Sequence, residues 1–243
     1  MEDTKIMQKI VSNLIKETTP TNQQDMNNFK RILPNLVEKG IDNINLSMFN
    51  EETKKQLLSV LGDEYMRKGC PQDAIKAFIL AGERKKLIAI GDDYQKVGLF
   101  SNAIDTYKLA DANEKLFTVG NKCLEEGKIP DAIKAFRTIS NSEMLTRVGD
   151  SCLEKMKYDY AIEVFAAIDN KQKLAVVGEK ALKEHQLAYA ARAFELAANA
   201  EKLNILGDTC LREGLFSMAI RAYTQAGNTM MVQFIKENFS KHL

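Results

Sequence analysis

An all-α solenoid built from helix-turn-helix repeats is the fold this sequence predicts, on three observations. Six glycines, Gly62, Gly91, Gly120, Gly149, Gly178 and Gly207, are spaced 29 residues apart. Other columns keep the same step: Leu58, Leu87, Leu116, Leu145, Leu174 and Leu203 precede the glycines, and Ala74, Ala103, Ala132, Ala161, Ala190 and Ala219 follow them. An aromatic closes each unit, at Phe78, Tyr107, Phe136, Phe165, Phe194 and Tyr223. A fixed period of 20–50 residues marks stacked units, each of which buries its apolar face only against its neighbours.

Each element follows from its own residues. Residues 1–20 hold an amphipathic stretch at 3–17, with Ile6, Met7, Ile10, Val11, Leu14 and Ile15 at helical spacing, and then a turn at TTPTNQQD. This stretch reads as a capping helix, or as a detachable partner-binding or dimerisation helix. Residues 21–53 form a degenerate repeat: one period before the first unit, Phe29, Ile32 and Leu36 match its first helix and Phe49 its aromatic, despite Pro34. Residues 54–230 hold the six full units. In the first, Leu58, Leu61, Gly62 and Tyr65 share one helical face, Gly69, Cys70 and Pro71 interrupt it, and Ala74, Ile75, Phe78 and Ala81 form the second. Ser101, Asp159 and Ser217 fall where N-caps of the second helices are expected, with Pro130 in the same column. A glycine inside a helix costs about 1 kcal/mol against alanine, so six in one column imply close helix approach, with the alanine column opposite. Residues 231–243 close the array with a single capping helix whose inner face is Val232, Ile235 and Phe239; Lys236, Ser240 and Lys241 can face water.

These columns resemble the tetratricopeptide repeat family. One unit reads Leu87, Gly91, Tyr94, Gly98, Phe100, Ala103, Tyr107 and Ala110, the family's spaced pattern, and the likeness covers about three-quarters of the chain. The family's usual unit is about 34 residues; here it is 29, the shortening falling between Ala81 and Leu87. The resemblance implies a right-handed α/α superhelix whose first helices line a concave groove. It also implies which columns point inward.

The inward columns hold ten acids and five bases, a balance of −5 against +1 for the whole chain. The resulting candidate groove is Asp92, Glu114, Phe117, Asn121, Leu124, Glu125, Glu143, Asp150, Leu153, Glu154 and Glu179. Clustered acids in a concavity favour a cation, and apolar neighbours supply affinity by desolvation. The expected partner is a basic, partly apolar peptide or helix held by a non-enzymatic scaffold or adaptor. Two alternatives stay open for these residues: the acids can pair with lysines and arginines of the next unit, and the leucine column can be buried. The other functional reading is a structural subunit that contacts its assembly through its ends or convex face.

Composition narrows the classes. With 34 basic and 33 acidic residues there is no general electrostatic case for nucleic acid, and a base-reading RNA binder needs a basic groove. No apolar run reaches the ~18 residues of a membrane span, so no membrane contact is expected. Cys123, Cys152 and Cys210 share one repeat column and read as small core residues in a reduced, cytoplasmic setting. His185 sits in a turn column and His242 near the end of the chain. No catalytic or metal-binding motif is present, so neither an enzyme nor a cofactor is expected.

Overall fold

The computed structural model describes residues 22–239, with side chains from Arg31 onward; the amphipathic stretch at 3–17 and the polar residues Ser240 and Lys241 lie outside them. The chain divides into two compact units. The first comprises the residues up to Asp93, with Leu109–Asp111, and the second comprises Tyr94–Lys108 with Ala112 onward. Among the described residues every regular element is helical.

In the first unit, α1 (Asn22–Lys39) runs through Pro34 and is followed by a 3-10 turn at Ile41–Asn43. Helices α2 (Glu51–Arg67) and α3 (Pro71–Ala81) pack as a hairpin, and α4 (Arg84–Lys96) crosses the unit boundary. The degenerate repeat therefore has one helix and a turn, with no second helix among residues 44–50. Its glycine position is held by Leu33, which is buried, and a leucine there leaves no flat surface for a ring.

The second unit holds α5 (Phe100–Leu109), then hairpins α6 (Asn113–Glu125) with α7 (Ile129–Thr138), and α8 (Ser142–Glu154) with α9 (Tyr158–Ala167). These are followed by α10 (Lys171–Lys183) with α11 (Leu187–Ala197), α12 (Ala200–Arg212) with α13 (Phe216–Gln225), and a lone α14 (Thr229–Asn238). Each hairpin packs on the next, as in an α-solenoid.

The glycine column is explained by rings. A Cβ at Gly120 would lie 2.8 Å from the Phe136 ring, one at Gly149 2.6 Å from Phe165, and one at Gly207 2.7 Å from Tyr223. Gly62 and Gly178 face Phe78 and Phe194 in the same way. The aromatic, rather than the alanine, thus lies on the glycine; the alanine column is fully buried elsewhere in the hairpin. Burying a Phe side chain contributes about 1.5–3 kcal/mol, which exceeds the ~1 kcal/mol helix cost of glycine. Where the ring is tyrosine, its hydroxyl finds an acceptor on a first helix. Tyr223 donates to Asp208 at 2.5 Å and Tyr107 to Gln95 at 2.9 Å. Burial, together with Asp208, pushes the Tyr223 phenol upward.

The helix ends depart from the expected capping. Ser101 lies one residue inside α5, and Asp159 and Ser217 likewise inside α9 and α13, whose preceding residues make no side-chain cap. The second helices begin earlier than the polar residue because Phe100, Tyr158 and Phe216 fix their first turns by packing; Phe100 and Tyr158 are buried. The side-chain caps sit on the first helices instead. Asn141, Asn170, Asn199 and Asn228 accept from the backbone N–H of Met144, Lys173, Lys202 and Met231. First helices end in a left-handed residue: Gly127 (φ 73°) ends α6, with Met156 (φ 56°) and His185 (φ 54°) in the same column. His185 is exposed, 3.5 Å from Glu213.

Helix α14 buries Ile235 completely, and Phe239 stacks on Phe216 with centroids 4.5 Å apart. Lys236, exposed, occupies the column that holds glycine in the full units.

Candidate functional site

The repeat places an acid directly after five of its six glycines and a lysine near the start of four of the six following first helices. The two meet across the gap between neighbouring first helices. Lys173 donates to Asp150 at 2.7 Å, Lys202 lies 2.7 Å from Glu179, and in the first unit Lys86 donates to Asp63 at 2.6 Å. Lys86 also donates to Ser59 at 2.9 Å. The pairing with Glu179 raises the Lys202 ammonium pKa. These rungs are half-exposed, so each contributes about 0.2–1 kcal/mol. Their larger effect is to use up the acids.

This corrects the charge of the predicted groove. The lysine column (Lys86, Lys115, Lys173 and Lys202) was outside the inward set, and including it brings the balance from −5 to −1. Asp150 and Glu179 are therefore rung members. Asp92 belongs to the first unit and is half-buried. Leu153, at 9% exposure, is a core residue; Lys180 reaches over its turn and donates to its carbonyl at 2.8 Å. Leu124 is half-buried.

Two steps lack the pair: Met231 stands where the lysine facing Asp208 would be, and Asp208 accepts from Tyr223 instead, whereas between α6 and α8 both members are replaced. After Gly120 the acid is replaced by Asn121, and the facing lysine is replaced by Met144; both are half-buried. Around this neutral position Glu114, Glu125, Glu143 and Glu154 are all exposed. Glu143 has only a loose contact with Arg147 at 3.7 Å, both side chains being well solvated. Phe117 is 40% exposed, with its ring edge-on to Phe136 at 6.1 Å. The structure thus brings Glu114, Phe117, Asn121, Glu125, Glu143 and Glu154 onto the outer surface of α6 and α8. Arg147, two residues before its glycine, is a further base that the predicted columns omitted.

The opposite surface, made by the second helices, is internally paired. Lys134 donates to Asp105 and to the Ser101 hydroxyl, both at 2.7 Å, and Arg221 clasps Glu195 through two contacts of 3.0 Å. A shallow depression of about 360 Å³ is lined by the Lys134–Asp105 pair, by Arg137 and Glu163 at 3.9 Å from each other, and by Lys108.

The cysteines are free, with Cys123, Cys152 and Cys210 buried and Cys70 exposed; burial pushes the Cys123 thiol up to about 11. Among the described residues no cluster of His, Cys, Asp and Glu could hold a metal ion. No described helix is long and apolar enough to cross a membrane. No family model and no curated protein matches this chain.

Proposed function

We propose that this chain is a non-enzymatic interaction scaffold of tetratricopeptide-like units, holding a basic, partly apolar peptide or helix across α6 and α8. The observation that carries this reading is the missing rung at Asn121 and Met144. Elsewhere the acids that follow Gly62, Gly149, Gly178 and Gly207 have partners; here four exposed glutamates surround an exposed phenylalanine. A lysine or arginine of the ligand pairs with the exposed glutamates beside this gap, and an apolar side chain covers Phe117. Exposed ion pairs are worth about 0.2–1 kcal/mol each and an apolar anchor about 1.5–3 kcal/mol. Such a site binds at micromolar strength or weaker, which suits a transient adaptor. A reduced, cytoplasmic setting belongs to the same reading, supported by three buried free thiols.

Panning a random-peptide display library against the full chain tests it. Peptides enriched in Lys or Arg around one aromatic or aliphatic residue are expected, with binding lost in the Glu125→Lys, Glu154→Lys double variant. Enrichment of acidic peptides, or the same peptides on both proteins, overturns the reading.

A further inference from the structure

A second column on the first helices departs from its repeat near the end of the array. Two residues before the glycine, the earlier units carry Val60, Ala89, Thr118 and Arg147. The last three positions are Val176, Ile205 and Phe234, at 48%, 40% and 46% exposure. They stand on α10, α12 and α14, all within the second unit. Among the described residues no other repeat column holds exposed large apolar side chains in three successive units. Isolated exposed apolar residues are ordinary on a protein surface, but a row repeated at the array's own step marks a contact.

The row runs between carboxylates. Glu201 and Asp208 stand one turn to either side of Ile205, and all three are exposed. Glu237, also exposed, stands one turn beyond Phe234. Asp208 and Glu237 accept from the neutral donors Tyr223 and Gln233 and so keep their charge. The nearby lysines are engaged or turned away. Lys202 pairs with Glu179, and Lys180 donates to the Leu153 carbonyl. Lys236, two residues on from Phe234, projects from the other side of its helix. An occupant must therefore bring apolar side chains at the step of the first helices and positive charge between them.

We infer that this row is the docking site for a basic segment of a partner protein in the polyproline II conformation, with an apolar residue at every third position and lysine or arginine between. The match is one of period. First helices packed side by side lie about 8–10 Å apart. A polyproline II chain has three residues per turn, so residues on one side of it recur about every 9 Å. Those of a strand recur about every 7 Å and those of a helix about every 5 Å, and both fall out of register by the third first helix. The residues between the apolar ones point sideways, where Glu201 and Asp208 flank Ile205. Such a segment is also extended before it binds, so little ordering entropy opposes docking. The row is separate from the face of α6 and α8. The closed rung of Asp150 and Lys173 lies between them, and on that face the same column holds Thr118 and Arg147.

Fluorescence anisotropy with two labelled synthetic peptides tests this on the full chain. One peptide is four tandem copies of Leu-Lys-Pro, which sets leucine at every third position with lysine between. The other has the same composition with its leucines in one block. Wild type is expected to bind the first at least about tenfold more tightly. An Ile205→Ser, Phe234→Ser double variant should lose that preference, and the Glu125→Lys, Glu154→Lys double variant should keep it. Equal binding of the two peptides by wild type overturns the inference, as does a preference that survives Ile205→Ser with Phe234→Ser. A preference lost instead in Glu125→Lys with Glu154→Lys places the peptide on α6 and α8 and overturns it too. Sedimentation velocity on the same proteins tests the competing occupant: a wild-type dimer that becomes monomeric in the serine variant assigns the row to a second copy of the chain and overturns the inference. Both serine substitutions are at exposed positions, and far-UV circular dichroism verifies folding. If the double variant fails that control, Val176→Ser takes its place with the same deciding outcomes.

Discussion

Two stretches of the second unit share one interior and differ at the surface. Between α8 and α10, and between α10 and α12, acid and lysine close each step of the first-helix face. Between α6 and α8 the same two positions are Asn121 and Met144. Below them nothing changes: Phe136 lies on Gly120 as Phe165 lies on Gly149. A repeat can therefore hold its fold constant through the ring on the glycine and use the rung to decide whether a surface satisfies itself or stays open to another molecule.

The largest expected effect tests the shared interior. Gly120→Ala and Gly149→Ala each place a Cβ against a buried ring, and overpacking costs about 1–3 kcal/mol, more than alanine's helix preference returns. Urea unfolding should show both variants destabilised to a similar extent; a large inequality would mean that the two interiors are not equivalent. Next, Asn121→Asp with Met144→Lys installs the missing rung. Peptides selected on the wild type should bind at least about tenfold more weakly, on the order of 1.4 kcal/mol, and undiminished binding in calorimetry would remove the gap from the site. At about 1 kcal/mol, Asn141→Ala and Asn170→Ala should each lower stability through the lost cap of α8 and α10, one on either side of the comparison; thermal melts that leave both unchanged would discount the caps. The smallest effect is the closed rung itself. A double-mutant cycle on Asp150 and Lys173 should give a coupling of about 0.2–1 kcal/mol that shrinks with added salt.

The repeat architecture was legible because glycine, leucine, alanine and aromatic columns are local signals that recur with the period. What lay on the glycine was not, since spacing places the alanine and the ring on one helix face without saying which reaches across. The asparagine caps were visible as Asn141, Asn170, Asn199 and Asn228 in one column. They were missed because polar caps were sought before the second helices, where Phe100, Tyr158 and Phe216 set the start by packing. In the half-formed repeat at 21–53 Ile32 and Leu36 are buried, but Leu33 in the glycine column was the sign that no second helix would seat a ring there. At the candidate site the acids were visible as residues, but their sum left out the lysines that face them. The inward columns came from the likeness to longer units, and the lysines that neutralise Asp150 and Glu179 belong to the next unit's first turn.

The ladder also gives every unit a direction. Where the rung is formed, a unit offers an acid to the one that follows and a lysine to the one before, as a brick carries a stud on one side and a socket on the other. Removing the 29 residues from Lys171 to Asn199 would set Asp150 opposite Lys202, a matched joint. Removing those from Ser142 to Asn170 would set Asn121 opposite Lys173 and leave that joint half made. Shortening or extending such an array by whole units is thus a question of which joints are matched, and at the open step between α6 and α8 the series cannot be spliced without changing what it presents.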